Sequence, residues 1–214
     1  MACPICSKRP VKRFCPAKGE SICAVCCGTE REVTIDCPSN CTYLQAARRY
    51  EAEHPRPTTR DDVPYPDVEF SPDLIHERRT MVSGFAYHIL MHHAEDRDTV
   101  DADALAALAA LAETFRTLAG GILYEKPPDG GPSRGLYTAL AHFVEEYRKG
   151  EAEKGALAPI QDIEVFYVLV FLLRVGKRQT NGRPRSRAFL DFLRAQFPRA
   201  AALQPEPQRI ILPE

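Results

Sequence analysis

A chain of 214 residues with 28 Lys plus Arg against 29 Asp plus Glu carries a formal charge of −1, which excludes a general polyelectrolyte role. The hydrophobic share of 44% is that of a globular protein, and the length accommodates one sizeable domain and a small one. The longest apolar run, Val165 to Leu173, is far short of a membrane span, and neither end carries a targeting segment or lipidation motif, so the cytoplasm is the expected location.

The first 41 residues hold all eight cysteines: Cys3, Cys6, Cys15, Cys23, Cys26, Cys27, Cys37 and Cys41. A segment this short cannot bury a large core and needs a covalent staple or a metal. Cys3-Pro-Ile-Cys6 and Cys23-Ala-Val-Cys26 have the spacing at which two thiolates reach one tetrahedral zinc at about 2.3 Å. Cys37 and Cys41 are four apart, so one helical turn places both on one side of a metal. Eight thiols divide into two sites of four. The expected arrangement is crossed, with Cys3, Cys6, Cys23 and Cys26 on one Zn2+ and Cys15, Cys27, Cys37 and Cys41 on the other. Cys26 and Cys27 are interchangeable at this level. Crossing would tie two zinc ions into one module spanning 1–53.

Other thiol chemistries fit less well. A disulfide framework needs an oxidising compartment, and the N-terminus lacks the apolar run of an export signal. A redox role for Cys23-Ala-Val-Cys26 would want a βαβ context, and none surrounds it. Four of the cysteines would suffice for an iron–sulfur cluster, because thiolate spacing alone does not exclude iron.

The opening Cys3-Pro-Ile-Cys6, the basic linker Ser7-Lys8-Arg9-Pro10-Val11-Lys12-Arg13-Phe14, Cys15-Pro16 and the closing Cys37-x-x-x-Cys41 form one outline. It resembles the cross-braced, treble-clef-like zinc modules of the MYND, HIT and B-box kind. The likeness covers about a fifth of the chain. Two departures are plain: Lys18 stands where a partner of Cys15 would be, leaving Cys27 to replace it, and no histidine lies among the ligands. What the resemblance implies is a binding module, usually for protein and sometimes for nucleic acid.

Beyond Cys41, residues Thr42 to Glu51 space Tyr43, Leu44, Ala47 and Tyr50 as a helix would. Residues 54–71 hold Pro55, Pro57, Pro64 and Pro66, which prevent regular helix, so this stretch is expected to link the parts or to lie across the second one through Val63, Tyr65, Val68 and Phe70. Ser71-Pro72 starts a helix running to about Glu95, since a hydroxyl caps and proline suits the first turn. Asp101 to Ala119 reads as a second helix, ended by Gly120-Gly121. Ser133 caps a third carrying Leu136, Leu140, Phe143, Val144 and Tyr147, and Pro159 opens a fourth. The run Val165 to Leu173 is apolar all round, which places that helix in the middle of a bundle. Arg183-Pro184 leads into a fifth helix with Phe189, Leu190, Leu193 and Phe197. The fold class is mostly α: a small N-terminal two-zinc cysteine-rich module, then a five-helix bundle over 72–200 and a tail over 201–214.

Three further constellations bear on chemistry. His88 and His92 are four apart and could share a metal with carboxylates from other helices, but no Glu-x-x-His pair accompanies them. The plainer role is packing for His88 and a helix-end position for His92 and His93, where positive charge suits the dipole. The basic stretch 174–199 contains Lys177, Arg178, Arg183, Arg185 and Arg187, candidates for anion or nucleic-acid contact. Against that, these cations could pair with Glu145, Glu146, Glu151 or Glu153, and no aromatics are interleaved for base stacking. The stretch 8–18 is also basic, but two four-thiolate zinc sites would be formally negative by four and call for compensation.

These features favour a non-catalytic adapter whose zinc module and helical domain contact a protein partner, since a site filled by four protein ligands leaves no position open for substrate. The runner-up is a nucleic-acid-binding or regulatory protein using 8–18 and 174–199. A metal-dependent enzyme centred on His88 and His92 is the third. No glycine-rich phosphate loop or nucleophile elbow marks a catalytic pocket.

Overall fold

A computed structural model describes residues 1–55, 57–155 and 159–198. The expected tail over 201–214 and the last two positions of the expected bundle, Arg199 and Ala200, lie outside the described residues. The chain is mostly helical with one small sheet. Among the described residues, no helix is long and apolar enough to cross a membrane.

The N-terminal part is a hairpin and two helices. Strands β1 (Arg13–Cys15) and β2 (Glu20–Ile22) pair antiparallel with Phe14 opposite Ser21, and Gly19 supplies a left-handed φ of 66° in the turn between them. The alternation puts Cys15 and Ile22 inward and leaves Phe14 exposed. Helix α1 (Ala24–Thr29) starts at Cys23, whose side chain accepts from the Cys26 N–H. Helix α2 (Thr42–Glu53) follows Cys41 directly and buries Leu44. Cys3, Cys15, Ile22, Cys23, Cys26 and Ile35 form a small core of their own, separate from the main one.

The stretch 57–71 crosses the second part. Tyr65, Val68 and Phe70 pack against the main core, and the Arg174 guanidinium donates to the Pro64, Tyr65 and Val68 carbonyls at 3.1, 2.6 and 2.7 Å. A single 3-10 turn at Arg60–Asp62 interrupts it.

The helix expected from Pro72 to Glu95 is two helices, α3 (Pro72–Glu77) and α4 (Arg79–Glu95), broken at Arg78. The break faces two carboxylates. Arg78 donates to Glu164 at 2.9 and 3.0 Å and to Glu151 at 3.4 Å, which joins the start of α4 to neighbouring helix ends. Helix α5 spans Asp101–Ala119, and α6 spans Gly131–Glu153, starting two residues before Ser133. Helix α7 runs Asp162–Gln179 and α8 runs Ala188–Gln196, starting after the Arg183-Pro184 turn. Among the described residues, six helices therefore form this part where five were expected. Helix α7 lies in the middle, packed chiefly on α5 and also touching α3, α4 and α8. Close approach is achieved at Gly176, where an added Cβ would sit 2.6 Å from Leu105 Cδ2 and 3.1 Å from Phe189 Cε1.

Candidate metal centre

Four sulfurs converge in the N-terminal core. Cys3, Cys6, Cys23 and Cys26 place their thiols all within 4.8 Å of one another. A tetrahedron with metal–sulfur distances of about 2.3 Å has edges of about 3.8 Å, and Cys6 Sγ lies 4.0 Å from Cys23 Sγ. All eight cysteines are free thiols. Among the described residues, no other His, Cys, Asp or Glu side chains gather three or more ligand atoms so closely.

Local structure explains the convergence. The loop after Cys3 folds back by Ser7 N–H to Cys3 carbonyl (2.7 Å) and Cys3 N–H to Arg9 carbonyl (2.8 Å). That loop is a knuckle with Ser7 at a φ of 53°, so both of its sulfurs face one point. The second pair comes from the β2–α1 junction. The Cys23 N–H donates to Cys3 Sγ and the Cys26 N–H to Cys23 Sγ, each at 3.3 Å. Backbone donors of this kind favour thiolate. The N–H groups of Lys8 and Arg9 draw the Cys6 thiol down to about 6. Burial pushes Cys3 up, but N–H groups from Cys23, Cys6 and Ile5 outweigh it and the net direction is down. Cys26, buried beside the other sulfurs, is pushed up to about 12. Backbone N–H groups therefore gather round a set of four thiols whose chemistry suits a divalent cation, which would displace the remaining thiol protons on binding.

The remaining thiols are less tightly gathered. Cys15 and Cys41 are buried, while Cys27 and Cys37 are half-buried. Burial pushes the Cys37 thiol up, and the fields of Cys41 and Cys15 push the same way. Cys27 Sγ accepts from Arg13 Nη1 at 3.6 Å and lies 4.0 Å from Arg31 Nη2. The choice between Cys26 and Cys27 for the converged cluster falls to Cys26.

The basic stretch 174–199 faces inward in part. Arg183 Nη1 donates to the Gly28 carbonyl at 3.1 Å and to the Arg31 carbonyl at 2.5 Å. Arg187 pairs with Asp36 and donates to the Arg97 carbonyl. The Arg185 N–H donates to the Glu32 carbonyl at 2.8 Å. Lys177, Arg178 and the Arg185 side chain are exposed. The acidic partners expected from the sequence are engaged elsewhere: Glu146 with Lys149, Glu145 with His142 and Glu151 with Arg78.

His88 and His92 do not share a ligand position. His88 packs on Phe143 at a tilt of 36° with centroids 4.9 Å apart, and His92 Nε2 lies 3.0 Å from the Pro132 carbonyl. His93, the third of the group, is buried rather than solvated.

Sequence reasoning passed over two buried carboxylates. Glu32, 1% exposed, takes Arg48 at 2.8 Å and Asn181 at 2.7 Å on its two oxygens. Asp101, also 1% exposed, accepts from Ser186 Oγ and from the Phe189 and Leu190 N–H groups, so a residue of α5 caps α8. For Asp101 the only cue was an acid between Val100 and Ala102, its partners lying 85 to 89 positions away, while Glu32 follows Arg31 and has its partners Arg48 and Asn181 at 16 and 149 positions.

No family model matches the chain, and neither a curated protein nor a solved structure matches it.

Proposed function

We propose that the chain is a zinc-binding, non-catalytic adapter. Its ions would be held by Cys3, Cys6, Cys23 and Cys26 and, as a second site, by Cys15, Cys27, Cys37 and Cys41. The observation that carries this reading is the convergence of four sulfurs from two knuckles. Zinc fits because its structural sites are tetrahedral and thiolate-rich, and four protein ligands leave no coordination position for a substrate. The second site is supported by the four-residue spacing of Cys37 and Cys41, with Arg13 and Arg31 beside Cys27 to balance thiolate charge. A cross-braced pair of this kind is what the resemblance to MYND, HIT and B-box modules implies.

Partner contact is supported by large apolar side chains left at the surface. In the module, Phe14 is 58% and Val25 48% exposed; in the helical part, Ile122 and Leu123 are 64% and 72% exposed. A protein partner suits such side chains better than a nucleic acid does, since Arg183 and Arg187 already hold groups of their own chain.

Elemental analysis of the untagged full chain, with an absorbance spectrum of the same sample, tests the metal reading. Two zinc ions per chain and no visible band are expected, falling to one in Cys6→Ser and to one in Cys37→Ser. Iron with a broad visible band would replace zinc by a cluster. One zinc in the unaltered chain, unaffected by Cys37→Ser, would remove the second site.

A further inference from the structure

The N-terminal module and the α7–α8 connection are fastened together by a compact set of bonds. Segment 28–36 lies between Cys27 and Cys37, and its groups face residues 181–187. Arg183 holds the Gly28 and Arg31 carbonyls, Asn181 holds the Glu32 carboxylate, and the Arg185 N–H holds the Glu32 carbonyl. Arg48 of α2 bridges Glu32 to Asp191 of α8, at 2.8 and 2.5 Å, and Ser39 Oγ reaches the same aspartate at 2.9 Å. Glu32 itself sits at a φ of 53°, a left-handed conformation unfavourable for a side chain of its size. The turn is closed by the Val33, Thr34 and Ile35 N–H groups on the Glu30 carbonyl, and Glu30 N–H in turn holds Cys26.

These bonds depend on the cysteine cluster by a short path. Gly28 belongs to α1, whose first turn is set by Cys23 and Cys26, and a six-residue helix does not hold itself together in water. On the other side, the start of α8 is held independently, by Asp101 on the Phe189 and Leu190 N–H groups. The connection therefore has one fixed end and one end that relies on the module.

We infer that metal occupancy of the Cys3, Cys6, Cys23 and Cys26 cluster controls whether the arginine-bearing connection 181–187 is held against segment 28–36 or released. This rests on the metal reading above. With the ion bound, Arg183 and Arg187 are occupied by Gly28, Arg31 and Asp36. With the ion gone, α1 and the Glu30 turn lose their support, the Arg183 guanidinium and the Arg185 N–H become free, and Arg187 keeps only the Arg97 carbonyl while α8 stays capped. By linkage the effect is reciprocal, so cutting the fastening weakens retention of the ion.

Residue-resolved amide exchange by NMR on the full chain, zinc-loaded and after chelation, tests this, with zinc measured in both samples. Chelation is expected to speed exchange at Arg185 by about tenfold or more, together with the amides of 24–35, while Phe189 and Leu190 change little. Arg183→Ala is expected to speed Arg185 exchange with zinc still bound and to hasten zinc loss to a chromogenic chelator. Faster exchange over 24–35 with Arg185 unchanged would overturn the coupling and leave the metal reading standing. Identical exchange throughout after zinc removal would likewise overturn the coupling, and absence of zinc from the loaded sample would overturn both.

Discussion

At the scale of single residues, the buried polar groups are the most exacting. Asp101 lies in a site that pushes its carboxyl up, by burial, against the pull of Ser186 and the Phe189 and Leu190 N–H groups. Removing that acceptor leaves buried donors without partners, each costing about 1–3 kcal/mol. Asp101→Ala should lower stability by about 2–3 kcal/mol in urea unfolding, and Asp101→Asn, which keeps one oxygen, by less. Equal losses for the two would show that charge rather than bond acceptance holds α8. His93 offers a pH test. Burial first, and then the fields of Arg194, Arg187 and Arg97, lower its pKa to about 4. The unfolded chain protonates this imidazole near its ordinary value of about 6.5. Between those values the unfolded state binds more protons, so His93 contributes stability that is present above about 6.5 and is lost as pH falls towards 4. Replacing it with glutamine should shrink the drop in unfolding midpoint between pH 7 and pH 5. An unchanged drop would assign the acid sensitivity to other groups.

At the scale of elements, local signals and distant partners divide the outcome. The caps and periodicities of Ser71-Pro72 and of Asp101 to Ala119 mark helix starts and faces that the folded chain uses, because those signals act within a turn or two. The all-round apolar run of α7 likewise announced its central position. The break at Arg78 was not legible, because nothing near it in sequence stops a helix; the reason lies in Glu164 and Glu151, more than 70 positions on. The inward turn of Arg183 and Arg187 escaped notice for the same reason, their acceptors lying about 150 positions back. In the cysteine segment the knuckle spacing identified the four converging thiols, but adjacent Cys26 and Cys27 could be told apart only by the direction that α1 gives them. Gly176 shows how tightly two such elements meet. A methyl there gains roughly 1 kcal/mol of helix propensity but meets Leu105 and Phe189, both buried and unable to swing away. Overpacking of this kind costs about 1–3 kcal/mol, so Gly176→Ala should lower the thermal midpoint despite the better helix former. A raised midpoint would mean that α5 and α8 move apart easily.

At the scale of the whole molecule, two hydrophobic clusters of unequal size share one chain. The larger unites α4, α5, α6, α7 and α8 around residues such as Phe85, Leu108, Leu169 and Phe189, none of which belongs to the cysteine core. The smaller is built from cysteines plus Ile22 and Ile35, too little apolar surface to fold unaided, which is what the proposed metal would supply. Helices α1 and α2, of 6 and 12 residues, contribute only a small part of the helical signal. Chelation should therefore leave most of the ellipticity at 222 nm (roughly five-sixths of it, if only α1 and α2 melt) and a cooperative thermal transition of the helical part. That transition should come at a lower temperature, because the fastening through Arg48, Glu32 and Asp191 no longer adds to it. Restoring zinc should return the midpoint, since ligand binding to the folded state alone raises stability. Collapse of the ellipticity on chelation would mean that the helical part cannot stand without the module. An unchanged midpoint would mean that the two parts, though in contact, fold as strangers.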